Sequence, residues 1–163
     1  MALTKVQPEM MGQLTASIMP AGSVIQTVQG SITTPFGSTS TTYVAIGLSA
    51  SITPTSSTSK IMVFVNVGSL YLGDNNQSVF TTIYRGAINL GTGSSSALAQ
   101  AYPYTSTGAN NIDVPVAIGY LDSPATTSST TYTVYMKATG GTNGFSAQNN
   151  GIQSTITLME IHG

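Results

Sequence analysis

Residues 151–161 read GIQSTITLMEI and alternate strictly between two faces. A period of two with branched side chains is typical of a β-strand, in which successive side chains point to opposite sides of the sheet. One face, predicted to cover a core, carries Ile152, Ser154, Ile156, Leu158 and Glu160. The other carries Gln153, Thr155, Thr157, Met159 and Ile161. Because the second face is also partly apolar, we expect this strand to lie inside a sheet and to make contacts on both sides.

The composition of the chain indicates an all-β protein. Charged residues make up only 6% of the 163 residues, against roughly 25% in typical soluble domains. Serine and threonine together account for 46 residues. Lys, Arg and Glu, which support long helices, are scarce, whereas Thr, Val, Ile and Gly favour strands and turns. A neutral, hydroxyl-rich surface also suits a protein that functions within an assembly.

Several classes of partner are disfavoured by the sequence. The absence of cysteine removes disulfides and thiolate chemistry. A net charge of −1 without a basic cluster argues against nucleic acid as a partner. The sequence contains neither an 18-residue apolar run nor a signal-peptide pattern, so we expect no membrane partner.

The chain is predicted to divide into an N-terminal docking arm, residues 1–20, and a β-sandwich domain, residues 21–163. The arm shows no period-two pattern and holds four of the seven methionines. Methionine is flexible and fits irregular apolar surfaces. The residues expected to contact a partner are Met10, Met11, Ile18 and Met19. The alternative is an arm without a partner, as for many chain termini.

About eight strands follow the arm, separated by turn sequences such as Gly140-Gly141 and Asn150-Gly151. The predicted strands are 23–29, 44–52, 60–72, 79–84, 87–90, 114–120, 132–136 and 151–161. Pro115 predicts that its strand lies at a sheet edge or begins irregularly. Eight antiparallel strands with long connections, such as 31–42 and 97–113, favour a two-sheet sandwich with jelly-roll connectivity.

Residues for catalysis are sparse. The one histidine, His162, is next to the C-terminus, and no nucleophile motif of the G-x-S-x-G type occurs. The acids are scattered, which disfavours a carboxylate pair. Asp74 with two following asparagines offers calcium ligands, but turn chemistry explains these residues better. We therefore expect no enzyme activity, no cofactor and no metal.

Glu160 stands out because it shares a face with Ile156 and Leu158. A carboxylate on a core face is costly unless it is paired. The candidate partners, within the chain or across a subunit interface, are Arg85, Lys60 and Lys137. Alternatively, the strand end emerges into water. With Met159 and Ile161, Glu160 is a candidate subunit-interface residue.

The 97–113 loop offers a second kind of site. Aromatic rings can stack on sugars, and amides can hydrogen-bond to them. The residues of this alternative glycan-binding site are Tyr102, Tyr104, Asn110 and Asn111. An ordinary turn-rich loop with packed tyrosines is the preferred interpretation.

Four segments resemble small β-rich virion proteins of tailed bacteriophages, particularly those of cyanobacteria. They are MALTKVQPEM at 1–10, MPAGSVIQTVQ at 19–29, SITPTSSTSKIMV at 51–63, and GYLDSPATTSSTTYTVYM at 119–136 with STITLMEI at 154–161. The resemblance touches most of the chain through short motifs of low complexity.

The resemblance implies a virion protein with one of two roles. One is a homotrimeric capsid decoration (cement) protein, which binds and stabilises the shell of the major capsid protein. The other is the head domain of a tail fibre or tail tip, which binds host polysaccharide. A fibre protein usually has a long shaft before its head, whereas about twenty residues precede the β-domain here. The sequence therefore favours decoration through the arm.

Overall fold

The computed structural model describes residues 19–73, 77–103, 112–140 and 143–163. Most of the predicted docking arm therefore lies outside the described residues, as does the sequence DNN at 74–76. Within the described ranges, the chain forms strands and one short 3-10 turn, Asn149–Gly151. The strands are β1 Val24–Ile32, β2 Phe36–Ser38, β3 Val44–Ile52, β4 Lys60–Leu72, β5 Val79–Arg85, β6 Ile88–Asn89, β7 Ala99–Ala101, β8 Ile112–Asp122, β9 Thr130–Ala138, β10 Phe145–Ala147 and β11 Ser154–Ile161.

The strands form two antiparallel sheets. In the six-stranded sheet, β11 lies between β1 and β4, and β8 pairs with the other edge of β4. The short strand β10 pairs with the far end of β4, on the same edge of β4 as β11. Strand β2 pairs with the other edge of β10. In the five-stranded sheet, β9 lies between β3 and β5, while β6 and β7 both pair with the free edge of β5.

The connectivity is that of a jelly roll. If β6 and β7 are counted as one interrupted strand, and the short strands β2 and β10 are set aside, eight strands remain. Numbered in chain order, they form one sheet in the order 1-8-3-6 and a facing sheet in the order 2-7-4-5. This arrangement is the double Greek key of jelly-roll domains. The predicted all-β, jelly-roll sandwich is therefore confirmed.

The core lies between the two sheets and is built from the inward-facing positions of the long strands. Ile61, Val63, Val65 and Val67 of β4 alternate with exposed or half-exposed neighbours, as the period of two predicts. Ile156 and Leu158 of the neighbouring strand β11 are also fully buried. The core residues of the facing sheet include Ile46, Leu48, Ile83, Tyr132, Val134 and Met136, all fully buried. Two apolar sheet faces thus close on one another.

The edges of the two sheets approach each other where β1 packs against β3. Gly30 of β1 makes this approach possible, because a Cβ at this position would lie 2.1 Å from the carbonyl oxygen of Ser49. At the opposite edge, β8 pairs only with β4 within the described residues, and Pro115 is exposed. The predicted edge position of this strand is confirmed.

Three short strands and the start of the closing strand differ from the prediction. Strands β2, β7 and β10 were predicted as loop or turn; each has three residues, too few to show a periodic pattern. The predicted closing strand also begins later, at Ser154. Ile152, which was expected on the core face, is 49% exposed, because it leaves the 3-10 turn before pairing begins. That assignment of Ile152 was wrong.

Candidate functional site: the outer face of the six-stranded sheet

The two faces of β11 have different surroundings. Ser154, Ile156, Leu158 and Glu160 point inward and are fully buried. Met159 and Ile161 point outward and are half-buried. On this side, Met159 pairs with Met62 and Ile161 pairs with Lys60 of β4. The predicted second face of the closing strand therefore belongs to a larger surface shared with its neighbours.

We call this surface the outer face: the side turned away from the five-stranded sheet, over the length Lys60–Asn66 of β4. Antiparallel pairing arranges its side chains in rows across four strands. One row is Leu121, Met62, Met159 and Thr27; the next is Gly119, Phe64, Thr157 and Gln29. Phe64 and Leu121 are each 46% exposed, and Val24, at the corner beside Ile161, is 49% exposed.

A shallow depression of about 360 Å³ lies beside the Phe64 ring. Its lining residues are Phe64, Val65, Asn66, Ala117, Ile118, Gly119, Thr155 and Thr157. Gly119 has no side chain, and a Cβ at this position would lie 3.6 Å from Cε1 of Phe64. The aromatic ring thus leans over the bare glycine backbone of the neighbouring strand and forms one wall of the depression.

The outer face carries almost no charge. In its rows from Lys60 to Asn66, the charged side chain is Lys60 itself, at the corner. The four strands contain three acidic residues. Asp113 lies beyond these rows, and the other two are buried beneath the sheet: Asp122 is 6% exposed, and Glu160 is fully buried. An uncharged and partly apolar sheet face of this kind is characteristic of a surface that contacts another protein.

Glu160 is placed inside the sandwich, away from the outer face. Its Oε1 accepts hydrogen bonds from the main-chain N–H of Thr55 at 2.7 Å and from the Thr55 hydroxyl at 2.8 Å. Its Oε2 accepts a hydrogen bond from Nε2 of Gln26. Burial raises the pKa of Glu160, but hydrogen bonds from Gln26 and Thr55 outweigh it and lower the pKa below its usual value.

These neutral partners differ from the basic partners considered from the sequence. The carboxylate satisfies its hydrogen bonds within the subunit, through Gln26 of β1 and Thr55 in the turn that follows β3. Glu160 therefore makes its contacts beneath the sheet, whereas Met159 and Ile161 are the two residues of the predicted interface that the structure brings together on the outer face.

A partly buried ion pair, which sequence reasoning missed, connects the two sheets. Arg85 at the end of β5 donates to both carboxylate oxygens of Asp122 at the end of β8, each at 2.9 Å. The Tyr132 hydroxyl donates to the same carboxylate at 2.7 Å. Burial, together with this hydrogen bond to Asp122, raises the pKa of Tyr132 well above its usual value. No local pattern could reveal the pair, because Arg85 and Asp122 are 37 residues apart in sequence.

An aromatic cluster lies on the opposite surface of the sandwich. The rings of Tyr84 and Tyr135 stack with centroids 4.1 Å apart, and Tyr43 meets Tyr84 edge-on at 6.3 Å. The ammonium group of Lys137 lies 4.6 Å from the centre of the Tyr43 ring. Tyr43 donates to the carbonyl oxygen of Ser95 at 2.9 Å, and burial raises its pKa to about 12. The cluster fixes the loop after β6 against the five-stranded sheet.

The remaining predicted site residues fall into two groups. Met19 and Tyr102 are described: Met19 is half-buried and Tyr102 is 45% exposed just after β7. The others lie outside the described residues: Met10, Met11 and Ile18 of the arm, and Tyr104, Asn110 and Asn111 of the loop. Their roles stay predictions.

The described ranges show neither a metal-binding cluster nor a membrane-spanning helix. There, no three His, Cys, Asp or Glu side chains converge as a set that could hold a metal ion. Nor does this part of the chain contain a helix of the length and hydrophobicity needed to cross a bilayer.

Comparison with known proteins gives matches in structure alone. No protein-family model and no curated protein sequence matches this chain. Among solved structures, the infectious bursal disease virus VP2 subviral particle is similar with a TM-score of 0.46 and 15% identity. The structure of the Gx strain of that virus is similar with a TM-score of 0.44 and 15% identity. Each alignment covers 86% of this chain and 34% of the other, so this chain spans about a third of their length.

Proposed function

We propose that this protein is a structural component of a virion, and the outer face of the six-stranded sheet is the observation that carries the proposal. The face exposes Phe64, Leu121 and Val24 beside Met62 and Met159, with one charged residue at its corner. Exposed large apolar side chains grouped on one nearly uncharged face are typical of a surface that contacts another protein. The sequence resemblance to phage virion proteins supplies the kind of assembly.

In finer detail, the proposal is a capsid decoration protein of a tailed bacteriophage, acting as a homotrimer in the virion. The subunits meet through a surface that includes Met159 and Ile161. The arm, residues 1–20, contacts the major capsid protein or another virion protein through Met10, Met11, Ile18 and Met19. Since each trimer presents three arms, modest contacts combine into strong binding by multivalency.

The position of the arm supports this division of roles. The described chain enters β1 through Gly22 and Ser23, which exchange main-chain hydrogen bonds with His162 at 2.7 and 2.8 Å. The arm is therefore joined to the six-stranded sheet at the corner where Val24 pairs with Ile161. A segment that begins here can reach a neighbouring molecule while the sandwich stays intact.

The direct test is deletion of residues 1–18, which keeps the Pro20 carbonyl that accepts from Ser23 at 3.1 Å. Purified full-length and truncated proteins are mixed with undecorated capsid shells, and bound copies are counted by mass spectrometry. We expect the full-length protein to bind in hundreds of copies per particle, and the truncated protein to fold but not bind. Full occupancy by the truncated protein would exclude residues 1–18, with Met10, Met11 and Ile18, as the shell contact.

The alternative is a tail-fibre or tail-tip head domain that binds host polysaccharide. The observation favouring it is the exposed ring of Tyr102 after β7, at the start of the predicted glycan loop. Under this alternative, particles carry tens of copies or fewer. The isolated protein would then bind host cells, and Tyr102→Ala would remove that binding. The Tyr71→Ala variant, which alters a half-buried tyrosine of β4, is the control.

A further inference from the structure

We infer that a second depression, at the end of the sandwich where β5 and β8 finish, binds a sugar acid whose carboxylate is held by the Arg85 guanidinium. This depression has a volume of about 360 Å³ and is separate from the outer face. Its lining residues are Arg85, Gly86, Pro124, Thr126, Ser129, Thr130 and Thr131. The inference goes beyond the proposed function, because it concerns a small ligand and requires no particular assembly.

Arg85 uses only part of its guanidinium group within the protein. Nη1 donates to both oxygens of Asp122 at 2.9 Å and to the carbonyl oxygen of Ser123 at 3.3 Å. Nε and Nη2 make no hydrogen bond to the described part of the chain, and the side chain is 21% exposed. A guanidinium has five N–H donors in a planar fork, and two of them fit the two oxygens of a carboxylate. The contacts of Nη1 therefore hold the group in place and leave donors for a ligand.

The charges around Arg85 favour a ligand with a single negative charge. Asp122 is 6% exposed and does not line the depression, and the other lining residues are uncharged. A ligand carboxylate in the depression therefore contacts the cation directly and faces the Asp122 carboxylate at longer range. A phosphate group with two charges would need a second cation, which the lining does not supply.

The hydroxyl groups of the lining favour a sugar as the carrier of this carboxylate. The Ser129 hydroxyl is exposed and makes no hydrogen bond within the described ranges. The Thr126 hydroxyl accepts from the Ser128 N–H at 3.0 Å, so its own hydrogen is available to a ligand. Hydroxyls donate and accept, as sugar hydroxyls do. Pro124 adds an apolar wall, and the volume lies within the range of about 300–1,000 Å³ that is usual for small-molecule sites.

The lining is already in place without a ligand. The Gly86 N–H donates to the Thr131 carbonyl oxygen at 2.9 Å, which ties the turn after β5 to the start of β9. The Thr130 hydroxyl donates to the Ser128 carbonyl oxygen at 3.0 Å, which fixes the turn before β9. A site that is formed before binding loses less conformational entropy when the ligand arrives.

The test is titration of the full-length protein with sodium galacturonate, followed through the amide chemical shifts by NMR. Galactose is the neutral control, because it has the same ring with a hydroxymethyl group in place of the carboxylate. We expect galacturonate to shift the amides of residues 85–86 and 124–131. Its dissociation constant should be lower than that of galactose by about tenfold or more, because galactose lacks the charge-assisted hydrogen bonds. Equal affinities, or no shifts in these two segments, would overturn the inference.

The deciding variant is Ser129→Asp, which places a negative charge in the lining. Ser129 is an exposed turn residue, so the fold should accept the change, whereas Arg85→Met removes the donors but also destabilises the fold. Ser129→Asp should weaken galacturonate binding by about tenfold or more through like-charge repulsion. Ser129→Asn, which has nearly the same size and no charge, is the matched control and should retain the binding. Circular dichroism melting curves establish that each variant is folded. Undiminished binding by folded Ser129→Asp protein would overturn the inference.

A carboxylate from a protein is distinguished by a third ligand, glutamate blocked as its N-acetyl amide. This compound has the carboxylate and lacks the sugar hydroxyls, so it should bind about tenfold or more weakly than galacturonate. Equal binding would overturn the assignment to a sugar acid and indicate a protein carboxylate instead. These titrations involve no capsid shells, so their failure would leave the proposed virion role standing. Absence of the protein from purified virions would refute that role and leave the sugar-acid site standing.

Discussion

Arg85 Nη1 lies 2.9 Å from both carboxylate oxygens of Asp122, and this ion pair joins the end of β5 to the end of β8 across the sandwich. The two strands belong to different sheets, and Tyr132 adds a hydrogen bond from a third strand. The pair thus fixes the position of one sheet relative to the other at the ends of β5 and β8.

Replacement of this arginine should destabilise the protein. In Arg85→Met, the Asp122 carboxylate stays buried and loses its cation, which costs several kcal/mol when a pair is fully buried. Since the Arg85 side chain is 21% exposed, we expect a loss of about 2–3 kcal/mol in the free energy of unfolding, measured with urea. Lys137→Met, which removes only a cation over an aromatic ring, should cost less than about 1 kcal/mol. Equal losses for both variants would mean that the ion pair contributes nothing specific.

Glu160 should make stability depend on acid pH. Its folded-state pKa lies below the usual value of 4.5, so the folded protein binds this proton less readily than the unfolded chain. The stabilisation is therefore complete above about pH 5 and is lost as the pH falls through the folded-state pKa. Glu160→Gln, which places an amide group against donors, should lose about 1–3 kcal/mol at pH 7.

The pH dependence of Glu160→Gln is measured by urea unfolding at pH 7 and pH 3. The difference between the unaltered protein and Glu160→Gln should shrink at pH 3, because the carboxyl group of the unfolded chain is protonated there and the lowered folded-state pKa then stabilises the fold less. Thr55→Ser keeps both the hydroxyl and the main-chain donor to Glu160, so it should behave as the unaltered protein does. A difference that stays constant with pH would contradict an ionised Glu160 in the folded state.

Gly30→Ala should be poorly tolerated. The added Cβ would lie 2.1 Å from the Ser49 carbonyl oxygen, so the main chain of β1 or β3 must move. Overpacking of this kind costs about 1–3 kcal/mol, and a backbone contact leaves little room to relax. Gly37→Ala in β2 is the matched control, because its nearest neighbour would be 3.6 Å away. Thermal melting should separate the two variants by several degrees, and equal melting temperatures would argue against the close approach of these sheet edges.

The long strands were predictable because each contains enough residues to show a period of two. Strand β4 is the clearest case, since its alternation extends over 13 residues. Strands β2, β7 and β10 were not, because each has only three residues and is determined by its partner strands rather than by a pattern of its own. Likewise, Glu160 showed that a buried carboxylate needs partners, but Thr55 and Gln26 are 105 and 134 residues away in sequence. Local patterns therefore predicted faces and strands, and could not predict which polar groups meet.

Adjacent residues of β11 provide a test of its two faces. Leu158 is fully buried between the sheets, so Leu158→Ala should cost about 3 kcal/mol in the free energy of unfolding. Met159 lies on the outer face opposite Met62, so Met159→Ala should cost the isolated subunit less than about 1 kcal/mol. Unfolding is measured at a protein concentration low enough to dissociate any oligomer.

Association of the same two variants is measured by sedimentation velocity at high concentration. Met159→Ala should weaken association by tenfold or more, because it removes apolar surface from the proposed contact. Folded Leu158→Ala protein should associate normally, since its outer face is unchanged. If Met159→Ala instead destabilised the dissociated subunit as much as Leu158→Ala, a segment of the same chain would have to cover this side chain. The outer face would then be part of the subunit's own core rather than a surface for assembly.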